Sequence, residues 1–197
     1  MFARMSPYWL WVLLALPSAG MVFAALNSDD PKVFHALLHP TGEFSARFLI
    51  IAMMATPLAL LLRSWRGPRW LKRNRRYFGV AAFGYAALHT LSYVLDAATM
   101  GRLLSDLPKL YIWTGWLAFA IFLPLAATSL DAAVRAMGPH WKTLQRWTYP
   151  AAALTLVHWA ALHDWDGLGP ALVHFGPLMA LQCYRVWFWY LRPRTNP

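Results

Sequence analysis

One cysteine, Cys183, is the whole thiol content of the chain, so neither an internal disulfide nor a cysteine-cluster metal site can form. Any redox chemistry needs another cofactor. Charge is scarce as well: 13% of the 197 residues are charged, and only 8 are acidic against 18 basic. With 59% hydrophobic residues, 12 Trp and 11 Phe, a soluble globule of this size would expose too much apolar surface. A glycine-rich phosphate loop, a nicotinamide fingerprint and a paired nucleophile and base are also missing, which places substrate chemistry elsewhere. No Gly/Ser-rich linker divides the chain, so residues 1–197 read as one domain.

What is present is apolar sequence in long runs. A membrane span needs roughly 20 mostly apolar residues. Six windows come close: Tyr8 to Leu26, Ala46 to Leu62, Tyr77 to Ala97, Tyr111 to Leu130, Thr148 to His163 and Leu168 to Leu191. The expected fold class is therefore all-α, a polytopic six-transmembrane-helix bundle in a lipid bilayer, with short connections and antiparallel neighbours.

The net charge of +10 does not call for nucleic acid, because the basic residues are interleaved with the spans. They cluster in alternate connections: Arg63, Arg66, Arg69, Lys72, Arg73, Arg75 and Arg76 in the second, Arg135, Lys142 and Arg146 in the fourth, Arg192 and Arg194 in the tail. Positive charge is retained on the cytoplasmic side, so both termini are expected there. The acidic connections, with Asp29, Asp30, Glu43, Asp96, Asp106, Asp164 and Asp166, face the other way. That side is a periplasm, and the membrane a cell inner membrane, if the source is Gram-negative. Arg4 ahead of the first apolar run gives it some likeness to a signal peptide, but its length favours a retained helix.

Ionisable side chains at membrane depth mark candidate functional sites. His89 lies thirteen positions beyond Arg76, and His158 twelve beyond Arg146. At about 1.5 Å per residue both sit roughly 18 to 20 Å from the basic side, at one depth. Two neutral imidazoles on separate helices can hold a metal such as haem iron from opposite sides. Gly84, Ala86, Ala87 and Ala151 to Ala153 supply small residues nearby. The same pair can equally act as interhelical hydrogen-bonding glue. His174 could line the same cavity, while His35, His39 and His163 fall at the outer boundary and His140 in a basic loop. Arg47, read as opening the second helix, can reach haem propionates or snorkel to headgroups.

These residues stand in ordered stretches: Thr41-Gly42; Ala55-Thr56-Pro57-Leu58; Arg75-Arg76-Tyr77-Phe78-Gly79; Tyr85-Ala86-Ala87-Leu88-His89; Tyr111-Ile112; Leu123-Pro124-Leu125-Ala126-Ala127-Thr128-Ser129; Arg135-Ala136-Met137-Gly138; Trp141-Lys142-Thr143-Leu144; and Arg146-Trp147-Thr148-Tyr149. In that order they resemble the haem-binding membrane subunits of periplasmic methionine sulfoxide reductase systems, within the ferric reductase-like transmembrane family. The resemblance implies a six-helix haem b protein with His89 and His158 as iron ligands. It implies electrons taken from the quinone pool or a cytosolic flavin reductase and passed to a periplasmic molybdopterin reductase subunit. The chain departs from the family at Gln145, where a histidine is usual, and at Glu43-Phe44-Ser45-Ala46, where Trp-Ala-Leu is usual. Arg76 and Gln145 lie thirteen before His89 and His158, the offset at which two-haem relatives carry a second ligand pair. Neither is an ordinary haem ligand, so one haem is expected. Arg76, Gln145 and Arg146 offer donors to a flavin phosphate (FMN) or a quinone carbonyl. A related oxidoreductase subunit with another acceptor, a histidine-lined transporter or channel, and a scaffold for a soluble partner are the competing readings.

Overall fold

In the computed structural model, residues 8–162 and 164–192 are described, and they are almost entirely helical. Arg4, His163 and Arg194 lie outside the described residues. The helices run α1 Tyr8–Leu26, α2 Val33–Leu61, α3 Arg66–Ala97, α4 Met100–Asp106, α5 Leu110–Ala127, α6 Asp131–Met137, α7 Pro139–Gln145, α8 Thr148–Ala160 and α9 Leu168–Val186, closed by a π-helical turn Trp187–Leu191.

Four of these, α1, α2, α3 and α5, are long and apolar enough to cross a membrane, which makes the chain a multi-pass membrane protein. The helix α8, of 13 residues, is about 20 Å long and falls short on length alone. In α9, Gly169, Pro170, His174, Gly176, Gln182 and Arg185 dilute the apolar character. Both nevertheless belong to the central core. Ala46, Leu49 and Ile50 of α2 pack there with Ala82 and Ala86 of α3, Phe122 and Leu125 of α5, Ala151, Ala152, Trp159 and Ala160 of α8, and Ala171, Phe175 and Leu178 of α9. So many alanines at the crossing points bring backbones close, the usual route to helix association in lipid, where burial of apolar surface contributes little. Ser45 Oγ adds an interhelical bond to the Ala82 carbonyl at 2.9 Å.

The second helix begins thirteen residues earlier than its apolar window. His35, His39, Pro40 and Glu43 make 33–45 read as a polar connection, yet the backbone stays helical. Pro40 withholds one N–H from the ladder without ending the helix, and beside it Thr41 Oγ1 donates to the Leu37 carbonyl at 2.6 Å. Arg47 therefore does not open α2; it sits mid-helix. Likewise α3 starts at Arg66, so its basic stretch is a helical extension of the span. The window 111–130 ends at Ala127 and is followed by the two short helices α6 and α7.

The first helix packs at the edge, through Leu10 and Leu14 against Phe78 and Ala81. Its Pro17 interrupts the ladder, and Tyr85 of α3 uses the break. Ser18 N–H donates to Tyr85 Oη at 2.9 Å, and that hydroxyl donates to the Leu14 carbonyl at 3.0 Å. One phenol thus replaces a backbone bond of α1 with a bridge to α3. Tyr85→Phe should orphan both α1 groups and destabilise the fold by about 1–3 kcal/mol. Thermal unfolding in detergent, with Tyr77→Phe as control, checks this; an unchanged midpoint would contradict the bridge.

At the acidic end, Asp106 accepts from Lys109 Nζ at 2.6 Å and from Tyr93 Oη at 3.2 Å, pinning α4 to the start of α5. The Lys109 bond holds the Asp106 carboxyl below its usual range. The contribution of this tie to stability is complete above the unfolded carboxylate range and lost as pH falls through the depressed folded value.

Candidate functional site

His89 of α3 and His158 of α8 meet. Their ring centroids are 5.9 Å apart and their planes cross at 87°. His89 Nδ1–H donates to the Leu38 carbonyl at 2.9 Å, and His158 Nδ1–H donates to the Tyr111 carbonyl. A carbonyl can only accept, so each bond fixes the proton on Nδ1 and leaves Nε2 with a free lone pair. Two metal–imidazole bonds of about 2 Å laid end to end, plus the radii of two five-membered rings, give a centroid separation of about 6 Å. The observed 5.9 Å would leave room for one metal between the rings. The donor set, two neutral nitrogens with their outer nitrogens already bonded, fits a haem iron.

One local device holds both rings. On α2, Leu37-Leu38-His39-Pro40-Thr41-Gly42, and on α5, Leu110-Tyr111-Ile112-Trp113-Thr114-Gly115, carry Thr-Gly at the same offset. Each threonine hydroxyl donates to the carbonyl four residues back, Leu37 at 2.6 Å and Leu110 at 2.7 Å. The next carbonyl, Leu38 or Tyr111, takes the imidazole. Each glycine then leaves room for the ring. A Cβ on Gly42 would lie 3.1 Å from His89, and one on Gly115 would lie 2.7 Å from His158 Nδ1. Gly84 faces open space, with no side chain within 4 Å of a Cβ placed there. Sequence reading singled out Thr41-Gly42 but missed Thr114-Gly115; the signal was the repeat of a Thr-Gly pair on the helix facing each histidine.

Arg47 has partners on two helices. It donates through Nε to His174 Nε2 at 3.3 Å and through NH2 to Glu43 Oε1 at 2.5 Å. The His174 ring lies 4.7 Å from that of Trp159, next in sequence to His158. His174 therefore joins a polar cluster beside the imidazole pair. His35 pairs with Asp96 at 3.3 Å, away from this cluster. Among the described residues, no three His, Cys, Asp or Glu side chains converge to hold an ion.

At the basic end, Arg76, Gln145 and Arg146 do come together, lining a cavity of about 270 Å³ with Lys142, Trp141 and Phe83. Arg76 NH1 donates to Asp131 Oδ1 at 2.6 Å, and Gln145 Nε2 donates to the Leu125 carbonyl at 3.2 Å. The second amide N–H of Gln145 and the cations of Lys142 and Arg146 remain to donate to an anionic or carbonyl-bearing ligand. Phe83, at the inner wall, is six residues before His89, about 9 Å of helical rise. The gap of roughly 20 Å below the histidines is therefore about half spanned by the cavity. Phe83 stacks on Phe119 at 5.9 Å, and Phe119 lies four residues after Gly115.

Residues 41–156 match the model of the ferric reductase like transmembrane component family. The chain is 32% identical to the protein-methionine-sulfoxide reductase heme-binding subunit MsrQ of Polaromonas naphthalenivorans, over 95% of this chain and 86% of that one. It is 34% identical to the protein of the same name in Herminiimonas arsenicoxydans, over 95% and 87%. In Rhodospirillum rubrum the figure is 37%, over 77% and 72%. No solved structure matches the chain.

Proposed function

Since this chain belongs to the ferric reductase like transmembrane component family, we propose that it is a b-type haem subunit that carries electrons across a cell inner membrane to a periplasmic molybdenum-dependent methionine sulfoxide reductase. The observation that carries the reading is the imidazole pair, 5.9 Å apart with both Nδ1 protons committed to carbonyls. The name borne by relatives more than 30% identical over most of the chain supports haem binding and a methionine sulfoxide reductase as the partner.

In this reading residues 1–197 form one domain with six spans and both termini cytoplasmic. The support is that α8 and α9 share one core with α2, α3 and α5, and that Lys and Arg crowd the ends of alternate helices. His89 and His158 are the axial ligands, and bound haem b supplies a one-electron centre between them. The Leu38 and Tyr111 carbonyls orient the rings and raise their basicity. The polar cluster of Arg47, Glu43 and His174 lies on the outer side, where Arg47 can turn to a propionate.

Electrons enter at the basic cavity. Lys142, Arg146 and the second amide N–H of Gln145 hold the phosphate of a flavin mononucleotide or the carbonyl of a quinone, Arg76 contributes from the same wall through the donors it does not give to Asp131, and Phe83 stands at the inner end towards His89. One haem is bound per chain, because Arg76 is committed to Asp131 and Gln145 to Leu125 where a second ligand pair would stand.

The test is the absorption spectrum of the purified protein with pyridine haemochrome analysis. A reducible b-type spectrum at one haem per chain is expected, and Gln145→His should leave that number at one because Arg76 offers no opposing imidazole. Protein that stays colourless after haem supplementation overturns the function; two haems per chain overturn the single-centre assignment.

A further inference from the structure

Beside the basic cavity lies a second one, of about 450 Å³, lined by Thr56, Arg75, Arg185, Val186, Trp189 and Tyr190. Thr56, Arg75 and Arg185 line both. The outer wall comes from the π-helical turn, where Trp189 is 58% and Tyr190 82% exposed.

We propose that this outer cavity is a headgroup site for an anionic phospholipid, with Arg75 and Arg185 taking the phosphate. The inference stands whether or not the inner cavity takes a flavin or quinone. Its first support is unbalanced charge. Arg75 NH1 donates to the neutral Thr56 hydroxyl at 2.8 Å, and the Arg185 guanidinium lies over the Tyr149 ring at 5.6 Å. Among the described residues, the ion pairs of Arg and Lys involve Arg47, Arg76, Arg102 and Lys109, not these two. Asp131, the acid at this end, is held by Arg76. Two guanidiniums on one cavity without a carboxylate are stabilised by an anion placed between them, and a phosphate can bond both.

The second support is level. Trp187, Trp189 and Tyr190 are exposed together at the end of α9, and Trp and Tyr concentrate at the headgroup boundary of a bilayer. The π turn at this point widens the backbone, with Arg192 N–H closing on the Trp187 carbonyl at 2.8 Å. The third support is the mixed wall. Exposed Val186 and the Trp189 ring flank the cations, offering apolar contact to a glycerol backbone and the first acyl carbons. A free phosphate or soluble nucleotide has no use for that side of the rim. Basic pockets between helices at the cytoplasmic face are a recurrent seat for anionic headgroups.

The experiment uses the full-length haem-loaded protein, delipidated in detergent and re-lipidated with phosphatidylglycerol or phosphatidylcholine, with bound lipid counted by native mass spectrometry. Retained phosphatidylglycerol is expected, with phosphatidylcholine washed away. The double variant Arg75→Gln/Arg185→Gln should weaken phosphatidylglycerol retention about tenfold or more. The charge-matched Arg73→Gln/Arg135→Gln, both exposed and outside the cavity, should weaken it far less. Equal loss in the two double variants overturns the proposal in favour of diffuse attraction to a basic face. So does equal retention of both lipids. Displacement of phosphatidylglycerol by millimolar inorganic phosphate or flavin mononucleotide assigns the cavity to a soluble anion and likewise overturns it. Trp189→Ala keeps both charges and guards against a double variant that fails to fold: it should lower phosphatidylglycerol retention several-fold, and undiminished retention overturns the seat at this rim.

Discussion

His158→Ala should abolish the reducible b-type haem spectrum of the purified protein, and His89→Ala should do the same. In the proposed assignment each imidazole is one of two donors to the iron, and none of the remaining residues of the Thr-Gly device offers a ring nitrogen in its place. The fold should survive. The Leu38 and Tyr111 carbonyls left behind still accept from Thr41 Oγ1 at 3.2 Å and Thr114 Oγ1 at 3.3 Å, and Thr41, also near His89 Nδ1, keeps its bond to Leu37, so no buried group is orphaned. Circular dichroism should therefore report unchanged helicity in protein that has lost its colour. Free imidazole added to either variant should restore part of the absorbance by occupying the vacated space. An intact spectrum in both variants would sink the assignment of these two residues as ligands.

Gly115→Ala should have the second largest effect, and a larger one than Gly42→Ala. A methyl at Gly115 would stand 2.7 Å from His158 Nδ1 and 3.0 Å from Cε1, inside any real Cβ contact. The ring must shift, and its bond to the Tyr111 carbonyl shifts with it. Overpacking of this kind costs about 1–3 kcal/mol, enough to lower haem occupancy about tenfold or more at the upper end. At Gly42 the nearest atoms of His89 lie at 3.1 Å, so a few tenths of an ångström of relief suffice. The haem-to-protein ratio and the midpoint potential of the two variants decide the matter. Equal and normal values in both, or the reverse order, would remove the glycines from the account.

Much of this was legible in the chain. The apolar window 8–26 coincides with α1 because its residues are apolar all round, as a lipid-exposed helix requires. His89 and His158 stood out because ionisable side chains are costly at membrane depth, and offsets of thirteen and twelve residues from basic anchors placed them at one level. Arg76, Gln145 and Arg146 were legible as neighbours from matching offsets on two helices. The start of α2 was not, because Pro40 and the polar His39 and Glu43 resemble a connection whenever the neighbouring threonine bond is unseen. Arg47 was misplaced for the same reason: its helix begins fourteen residues before it, and its partners Glu43 and His174 come from two helices far apart in sequence. Gly115 escaped notice because a glycine that admits a ring from another helix looks, in sequence, like any glycine in a span.

The Thr-Gly device also sets an order of events during synthesis. The half on α2 and α3 is finished once residue 89 has emerged, carbonyl, glycine and ring all being supplied by adjacent helices. The half on α5 and α8 cannot exist until residue 158 has followed it into the bilayer. A nascent chain thus carries a formed single-imidazole socket while α4 to α8 are still being added. Tight capture of the cofactor waits for the second socket, so loading of the haem reports that the carboxyl-terminal half has docked.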